Sequence, residues 1–408
     1  MHVDADLLRA DFDTLAEIGA TSDGGVNRPS LGESHLAART WFLERAAAAG
    51  LETRVDAAGN HSAVLPARGS TLLLGSHLDS VPSGGRFDGA LGVVAALHVL
   101  LALKKAAAEL PVSLEAIDFT DEEGTLVGLL GSEALAGTLT PETLASPRGG
   151  RKALLAGLER AGLEERGLAA ARRDPRSLAG YLELHIEQGP VLERAGAQIG
   201  VVTSIVGARS FSLVFRGEAG HAGTTPMNLR RDAGLAAADF AVAAEELVVR
   251  DFAGCVATIG HVELEPGAYN VIPRTARVAL EFRSAGALTL GELEASLLAR
   301  ARSAAARRGV ELEIAPVGRW EPTPLDPAVC DAIERAAGAL GLLSLRLHSG
   351  AGHDAQALAS VTPAGMIFVP SVGGVSHDPR ELTAWEDCVN GANVLLGAAL
   401  ELAGRRVH

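Results

Sequence analysis

The sequence predicts an α/β protein carrying a smaller inserted α+β domain. Three observations lead there. Strand and helix signals alternate through the first half, the middle of the chain changes rhythm, and histidines and carboxylates fall at predicted strand ends. A chain of 408 residues exceeds a typical single domain and predicts two or three compact units.

Residues 71–78 form a short apolar run ending in Ser-His-Leu-Asp, followed by a glycine-containing loop. Residues 92–107 then read as a buried helix, because Val93, Val94, Leu97, Leu100 and Leu101 recur at helical spacing. Residues 112–119 are a second apolar strand, running into Thr-Asp-Glu-Glu-Gly. The stretch 147–176, rich in Ala, Leu, Arg and Glu, reads as helical surface structure. Residues 181–187 alternate with period two, placing Leu182, Leu184 and Ile186 on one face and Glu183, His185 and Glu187 on the other. Taken alone, that polar face suits solvent as well as a ligand. Residues 365–369 form a strand leading into the loop that holds Ser376-His377-Asp378. Such alternation predicts a sheet with helices on both faces.

The middle reads as strand 208–217, helix 231–249, strands 254–264 and 274–283, helix 290–308 and strand 310–317. This βαββαβ order is the split βαβ, ferredoxin-like arrangement. We therefore expect one domain from 1–206 and 320–408, interrupted by a second at 207–319.

Composition excludes several function classes. The net charge of -14 disfavours nucleic acid or an anionic membrane as partner. No charge-free run of about twenty apolar residues occurs, so no membrane span is expected. Residues 1–13 carry four aspartates and no basic-then-apolar signal pattern, which points to the cytoplasm. Cys255, Cys330 and Cys388 read as buried thiols of a reducing compartment. His35, His98 and His261 have no converging partners in the pattern and read as structural.

His77, the Glu122-Glu123 pair and His185 sit at or near strand C-termini, and His377 in a loop after one. The carboxyl ends of strands form the ligand crevice of open α/β sheets. Imidazoles and several carboxylates converging there need a cation, because packing carboxylates together without one is costly.

The motifs carry more. Gly75-Ser76-His77-Leu78-Asp79-Ser80-Val81 precedes Gly84-Gly85-Arg86-Phe87-Asp88-Gly89-Ala90-Leu91-Gly92-Val93. Then come Thr120-Asp121-Glu122-Glu123-Gly124, His185-Ile186-Glu187-Gln188-Gly189-Pro190, Gly220-His221-Ala222-Gly223-Thr224-Thr225-Pro226-Met227 and Asn270-Val271-Ile272-Pro273. Gly350-Ala351-Gly352-His353-Asp354-Ala355 and Ser376-His377-Asp378-Pro379 complete the series. In order and across nearly the whole chain, these resemble the amidase, hydantoinase and carbamoylase family of dinuclear metallohydrolases.

The resemblance implies an aminopeptidase-type, mixed-sheet catalytic domain with an inserted lid and dimerisation domain. It implies two divalent metal ions held by His77, Asp88, Glu123, His185 and His377, with Asp88 bridging. Zinc is the default, and Mn, Co or Ni also suit His and carboxylate ligands. Glu122 would be the general base toward water held between the ions, and Asp79 would orient His77. His221 would stabilise the oxyanion, reaching across a homodimer. Gln188, Asn270, Arg283 and Gly352 would contact substrate, Arg283 by gripping its carboxylate. The implied substrate is a small ureido or amide compound, foremost an N-carbamoyl-L-amino acid. Allantoate or a β-ureidopropionate is the alternative, and an N-acyl amino acid or dipeptide a more distant one. Thr125-Leu126-Val127 after the acidic pair, and Ser284 after Arg283, depart from the family's usual residues, so the pattern specifies metal chemistry more closely than substrate.

Overall fold

The computed structural model describes residues 1–404; the last four residues of the expected 320–408 segment lie outside them. The chain divides into two compact units. The first comprises Met1–Thr203, Leu325–Leu347 and the described residues from Gly352 on, and the second comprises Ser204–Pro324 with His348–Ala351.

In the first unit, strands Ser113–Phe119, Thr71–His77, Leu178–Ile186 and Ala364–Val369 lie side by side in that order. All three pairings among them are parallel, so their carboxyl ends open on one edge of the sheet. His61–Leu65 adds antiparallel to Ser113–Phe119, and Ile199–Ile205 antiparallel to Ala364–Val369, making the sheet mixed.

The helix expected at 92–107 spans Ala90–Lys105, with twelve of its residues buried. It is covered all round, as a helix that is apolar on every side must be. The 147–176 stretch is only partly helical, at Arg151–Arg160 and a 3-10 turn at Glu165–Ala171. Leu154, Leu158 and Leu168 there are buried in a small core with Leu31, Leu126 and Leu130, so the segment is not merely surface.

Strand Leu178–Ile186 is buried on both faces. Leu184 packs where Gly391 of helix Trp385–Gly404 approaches. On the opposite face Glu183 accepts the amide of Ala355 at 3.0 Å and the hydroxyl of Ser76 at 2.8 Å. Helical segments thus cover both sides, and the polar face of 181–187 is dry.

The second unit is a four-stranded antiparallel sheet. Its order is Glu311–Trp320, Gly207–Arg216, Thr275–Ser284, Val256–Glu265. Numbered along the chain this is 4-1-3-2, the order of a split βαβ unit. Helices Ala233–Asp251 and Ala287–Arg308 bury Phe240, Leu247, Leu293 and Leu297 against Phe211, Leu213, Val278 and Phe282 of the sheet. Alternating residues of Thr275–Ser284 are buried, as period two requires when one sheet face is covered. The edge strand Val256–Glu265 is largely exposed.

Candidate metal centre

The parallel strand ends assemble the site. His77 is the last residue of Thr71–His77, and His185 the penultimate residue of Leu178–Ile186. Glu122 and Glu123 follow Ser113–Phe119, and Asp88 sits two residues before helix Ala90–Lys105. His377 stands in the loop after Ala364–Val369.

Among the described residues two sets of donor atoms converge, His77 with Asp88 and His185, and Asp88 with Glu123 and His377. Asp88 belongs to both. Its Oδ1 lies 3.1 Å from His185 Nε2 and 3.5 Å from His77 Nε2, while its Oδ2 lies 3.6 Å from His377 Nε2. His377 Nε2 is also 3.4 Å from Glu123 Oε2. His77 Nε2 is buried and has no hydrogen-bond partner. A buried imidazole nitrogen left unpaired among carboxylates is costly in water-free surroundings, and a cation is the partner that fits.

The imidazoles are set up to ligate through Nε2. His77 Nδ1 lies 3.0 Å from the backbone carbonyl of Asp79, and His185 Nδ1 lies 2.8 Å from that of Ile186. Both fix the proton on Nδ1 and leave Nε2 facing the cluster. The Asp79 carboxylate is farther from His77, at 3.8 Å. It instead accepts the backbone amides of Glu122 at 3.3 Å and Glu123 at 3.2 Å. Gly89 makes room for this arrangement, because a β-carbon there would run into three ring atoms of His77.

Glu122 Oε2 is 3.5 Å from His77 Nε2 but belongs to neither donor set. Burial lifts its pKa well above the ordinary carboxylate range, and Glu123, Asp354, Asp79 and Asp88 lift it further. Glu123 is raised by burial and then by Asp88 and Asp79. Asp88 moves the other way: burial opposes its ionisation, but His185, His77 and His377 outweigh that and hold it low. For His185 burial likewise opposes the charge, yet Asp88 and Glu183 raise its pKa to about 9. His77, dominated by burial, falls to about 4. Carboxylates held this far from their charged state are relieved by a divalent cation.

Supporting residues that the sequence pattern did not single out hold the loops. Arg39 and Asp118, both buried, pair at 2.7 Å, and the other oxygen of Asp118 accepts the amide of Leu78 beside His77. Asp121 accepts the amides of Leu126, Val127 and Gly128, closing the turn that presents the acidic pair. Glu381, whose pKa rises to about 7 through burial and the charge of Asp88, accepts amides from the Asp88 turn. Asp121 stands directly before the acidic pair, whereas Glu381 carries no periodic or spacing signal. Asp121, Gln188 and His377 all have left-handed backbones, with φ of 60, 59 and 56°, a strain that surrounding contacts must sustain.

Of the expected substrate contacts, Gln188 donates through Nε2 to Asp88 Oδ2 at 2.7 Å, and its buried Oε1 has no partner. Gly352 is exposed, in the turn before helix Asp354–Leu358. His221, Asn270 and Arg283 lie in the second unit. There His221 pairs with Val271 in an isolated bridge, and its Nδ1 accepts the amide of Gly223 at 3.1 Å. The Asn270 carbonyl accepts the amide of Ala222. Arg283 is held by Glu281 at 2.8 and 3.0 Å and by the carbonyl of Gly350 at 2.7 Å. Among the other histidines, His98 pairs with Asp11 at 2.8 Å and His35 Nδ1 accepts the amide of Leu31, both structural roles.

Known proteins resemble this chain over its full length. The profile of peptidase family M20/M25/M40 matches residues 73–401. An N-carbamoyl-L-amino acid amidohydrolase of Geobacillus stearothermophilus is 39% identical over 394 residues, 95% of this chain and 96% of its own. An allantoate amidohydrolase of Bacillus subtilis is 33% identical over 398 residues, 95% of each chain. The crystal structure of a hydantoinase/carbamoylase family amidase from Burkholderia multivorans superposes with a TM-score of 0.91 at 35% identity, covering 100% of this chain and 99% of that one.

Proposed function

The chain belongs to peptidase family M20/M25/M40, and from that premise we propose that it hydrolyses N-carbamoyl-L-amino acids with two bound divalent cations. It is a hydrolase of C–N bonds other than peptide bonds, as its amidohydrolase relatives are. The single observation that carries the two-cation reading is the sharing of Asp88 by two otherwise separate donor sets. His77 and His185 would complete one site, Glu123 and His377 the other. Zinc is the default ion, with Mn, Co and Ni as alternatives, because the donors are imidazole and carboxylate without thiolate.

When bound, such cations supply Lewis acidity and lower the pKa of water. The chain's own residues supply the rest. Glu122 lies beside the cluster outside both donor sets, and takes a proton from the attacking water and returns it to the departing nitrogen. Its burial and the neighbouring carboxylates raise its proton affinity, a shift of the kind that marks acid–base groups of active sites. Asp79 keeps Glu122 and Glu123 in register by accepting both of their amides. Gln188, tied to Asp88 through Nε2, turns a free amide oxygen toward a substrate donor. His221 accepts from Gly223 at Nδ1, so its Nε2 carries the proton and can donate to the oxyanion. That role, exercised across a homodimer, follows the family resemblance. Arg283 is the proposed partner of the substrate carboxylate, oriented by Glu281. Hydrolysis of the carbamoyl amide releases the amino acid and carbamate, which falls apart to ammonia and carbon dioxide.

The test is a panel of carbamoyl, allantoate, acetyl and dipeptide substrates on protein stripped of metal and reloaded with Zn, Mn, Co or Ni. Turnover of carbamoyl amino acids above the rest is expected. A preference for allantoate would move the substrate within the same reaction, and activity confined to dipeptides or acetyl amino acids would overturn the proposal.

A further inference from the structure

The three histidines of the centre are not held alike. His77 and His185 are 1% exposed at the side chain, and each has its Nδ1 fixed by a backbone carbonyl. His377 is 50% exposed and stands on a left-handed backbone. Packing cannot hold it in place.

Its loop is tied from one side. Glu381, 4% exposed, accepts the backbone amides of Phe87 and Asp88 at Oε1, both at 3.0 Å. Its Oε2 lies 3.0 Å from the hydroxyl of Ser376, the residue before His377, and the same hydroxyl is 3.1 Å from Asp88 Oδ2. One carboxyl group thus joins two segments almost three hundred residues apart, and each carries a ligand of the same candidate cation site. Gly85 completes the fit: a β-carbon there would run into the Glu381 carboxyl. A carboxyl group beside Asp88 gains nothing from ionising there, so it belongs here for what it holds rather than for its charge.

We propose that Glu381 is a positioning residue that fastens the Asp88 turn to the His377 loop and so sets the affinity of the Asp88–Glu123–His377 cation site. The His77–Asp88–His185 site, whose histidines are fixed independently, depends on it far less. This rests on the two-cation reading above.

The experiment is calorimetric titration of metal-stripped protein with Mn²⁺ and Zn²⁺, with circular dichroism to verify the fold. Wild type takes up two ions. Glu381→Ala keeps one at wild-type affinity and binds the other about ten- to hundred-fold more weakly, the range for lost outer contacts of metal ligands. The retained affinity matches that of His377→Ala. Glu381→Gln, which keeps an amide-accepting oxygen and can donate to Ser376, stays within about threefold of wild type. Ser376→Ala removes the hydroxyl's contacts with Glu381 and with Asp88 Oδ2 but leaves Glu381 on the amides of Phe87 and Asp88, and weakens the same ion even if Glu381→Ala does not fold. Unchanged binding of both ions in Ser376→Ala or in folded Glu381→Ala, or equal weakening of both, would overturn the inference. A wild type that binds one ion would refute the two-cation reading itself, and this inference with it.

Discussion

Replacing Gly89 with alanine tests whether the seat of His77 is as tight as the geometry requires. Gly89 has φ of 63° and ψ of -49°, outside the left-handed helical region, and holding an L side chain there costs roughly 1–3 kcal/mol. A β-carbon would also meet Cε1, Nδ1 and Nε2 of the His77 ring at nearly equal distances, so it would press on the face of the ring. His77 is itself 0% exposed, and forcing extra volume into such packing costs about 1–3 kcal/mol. Together these predict a loss of about 2–6 kcal/mol. Urea denaturation of metal-free protein, followed by circular dichroism, reads the stability of the first unit. Metal titration reads the second consequence: the ion at the His77 site weakens while the ion at the His377 site changes less. A loss below about 1 kcal/mol with both ions bound normally would show that the ring does not rest on Gly89.

Three further outcomes follow from the centre. Glu122→Gln should lower kcat by about 10²–10⁴ while metal analysis finds both ions retained; metal loss would make Glu122 a ligand instead. Arg283→Leu should raise KM for carboxylate-bearing substrates with kcat nearly unchanged, and unchanged kinetics would remove it from the substrate site. Metal-free protein should lose stability between pH 6.5 and 9. His185 has its folded pKa raised to about 9 by Asp88 and Glu183 against the opposing effect of burial. Its contribution is therefore full below the unfolded value of 6.5 and disappears as pH rises through the folded one. Thermal scans in chelator that show rising stability across that window would contradict the ion pairing.

Much of the catalytic architecture was readable because it is written in local pattern. The helix near 92–107 has apolar residues at helical spacing, and the strands around His77 and His185 end where the ligands begin. The order βαββαβ in the middle required only periodicity and the turns between elements. What escaped depends on partners far along the chain. The alternation of 181–187 suits solvent as well as a ligand, because period two reports which side a residue takes, not whether a second layer covers that side. Here Ala355 and Ser76 satisfy Glu183 in a dry interior. Arg39 carries no local signal of its buried pairing, because its partner Asp118 lies seventy-nine positions later. Asp79 was expected to orient His77 with its carboxylate; the nearer contact is its backbone oxygen, since the carboxylate is engaged by the next loop. Left-handed backbones at Gln188 and His377 leave no trace in residue type, because neither is glycine.

The interruption of the first unit has a consequence for how the protein is made. His77, Asp88, Glu123 and His185 all precede the inserted Ser204–Pro324 segment, and His377 follows it. A ribosome adding about 5–20 residues per second needs roughly ten to forty seconds for the intervening stretch of about 190 residues. Over that interval the nascent chain holds the three residues of one candidate cation site but lacks the strand Ala364–Val369 that pairs beside Leu178–Ile186. The Ala364–Val369 strand and His377 are thus both made late, and a chain stalled before them carries four of the five proposed ligands on an unfinished sheet.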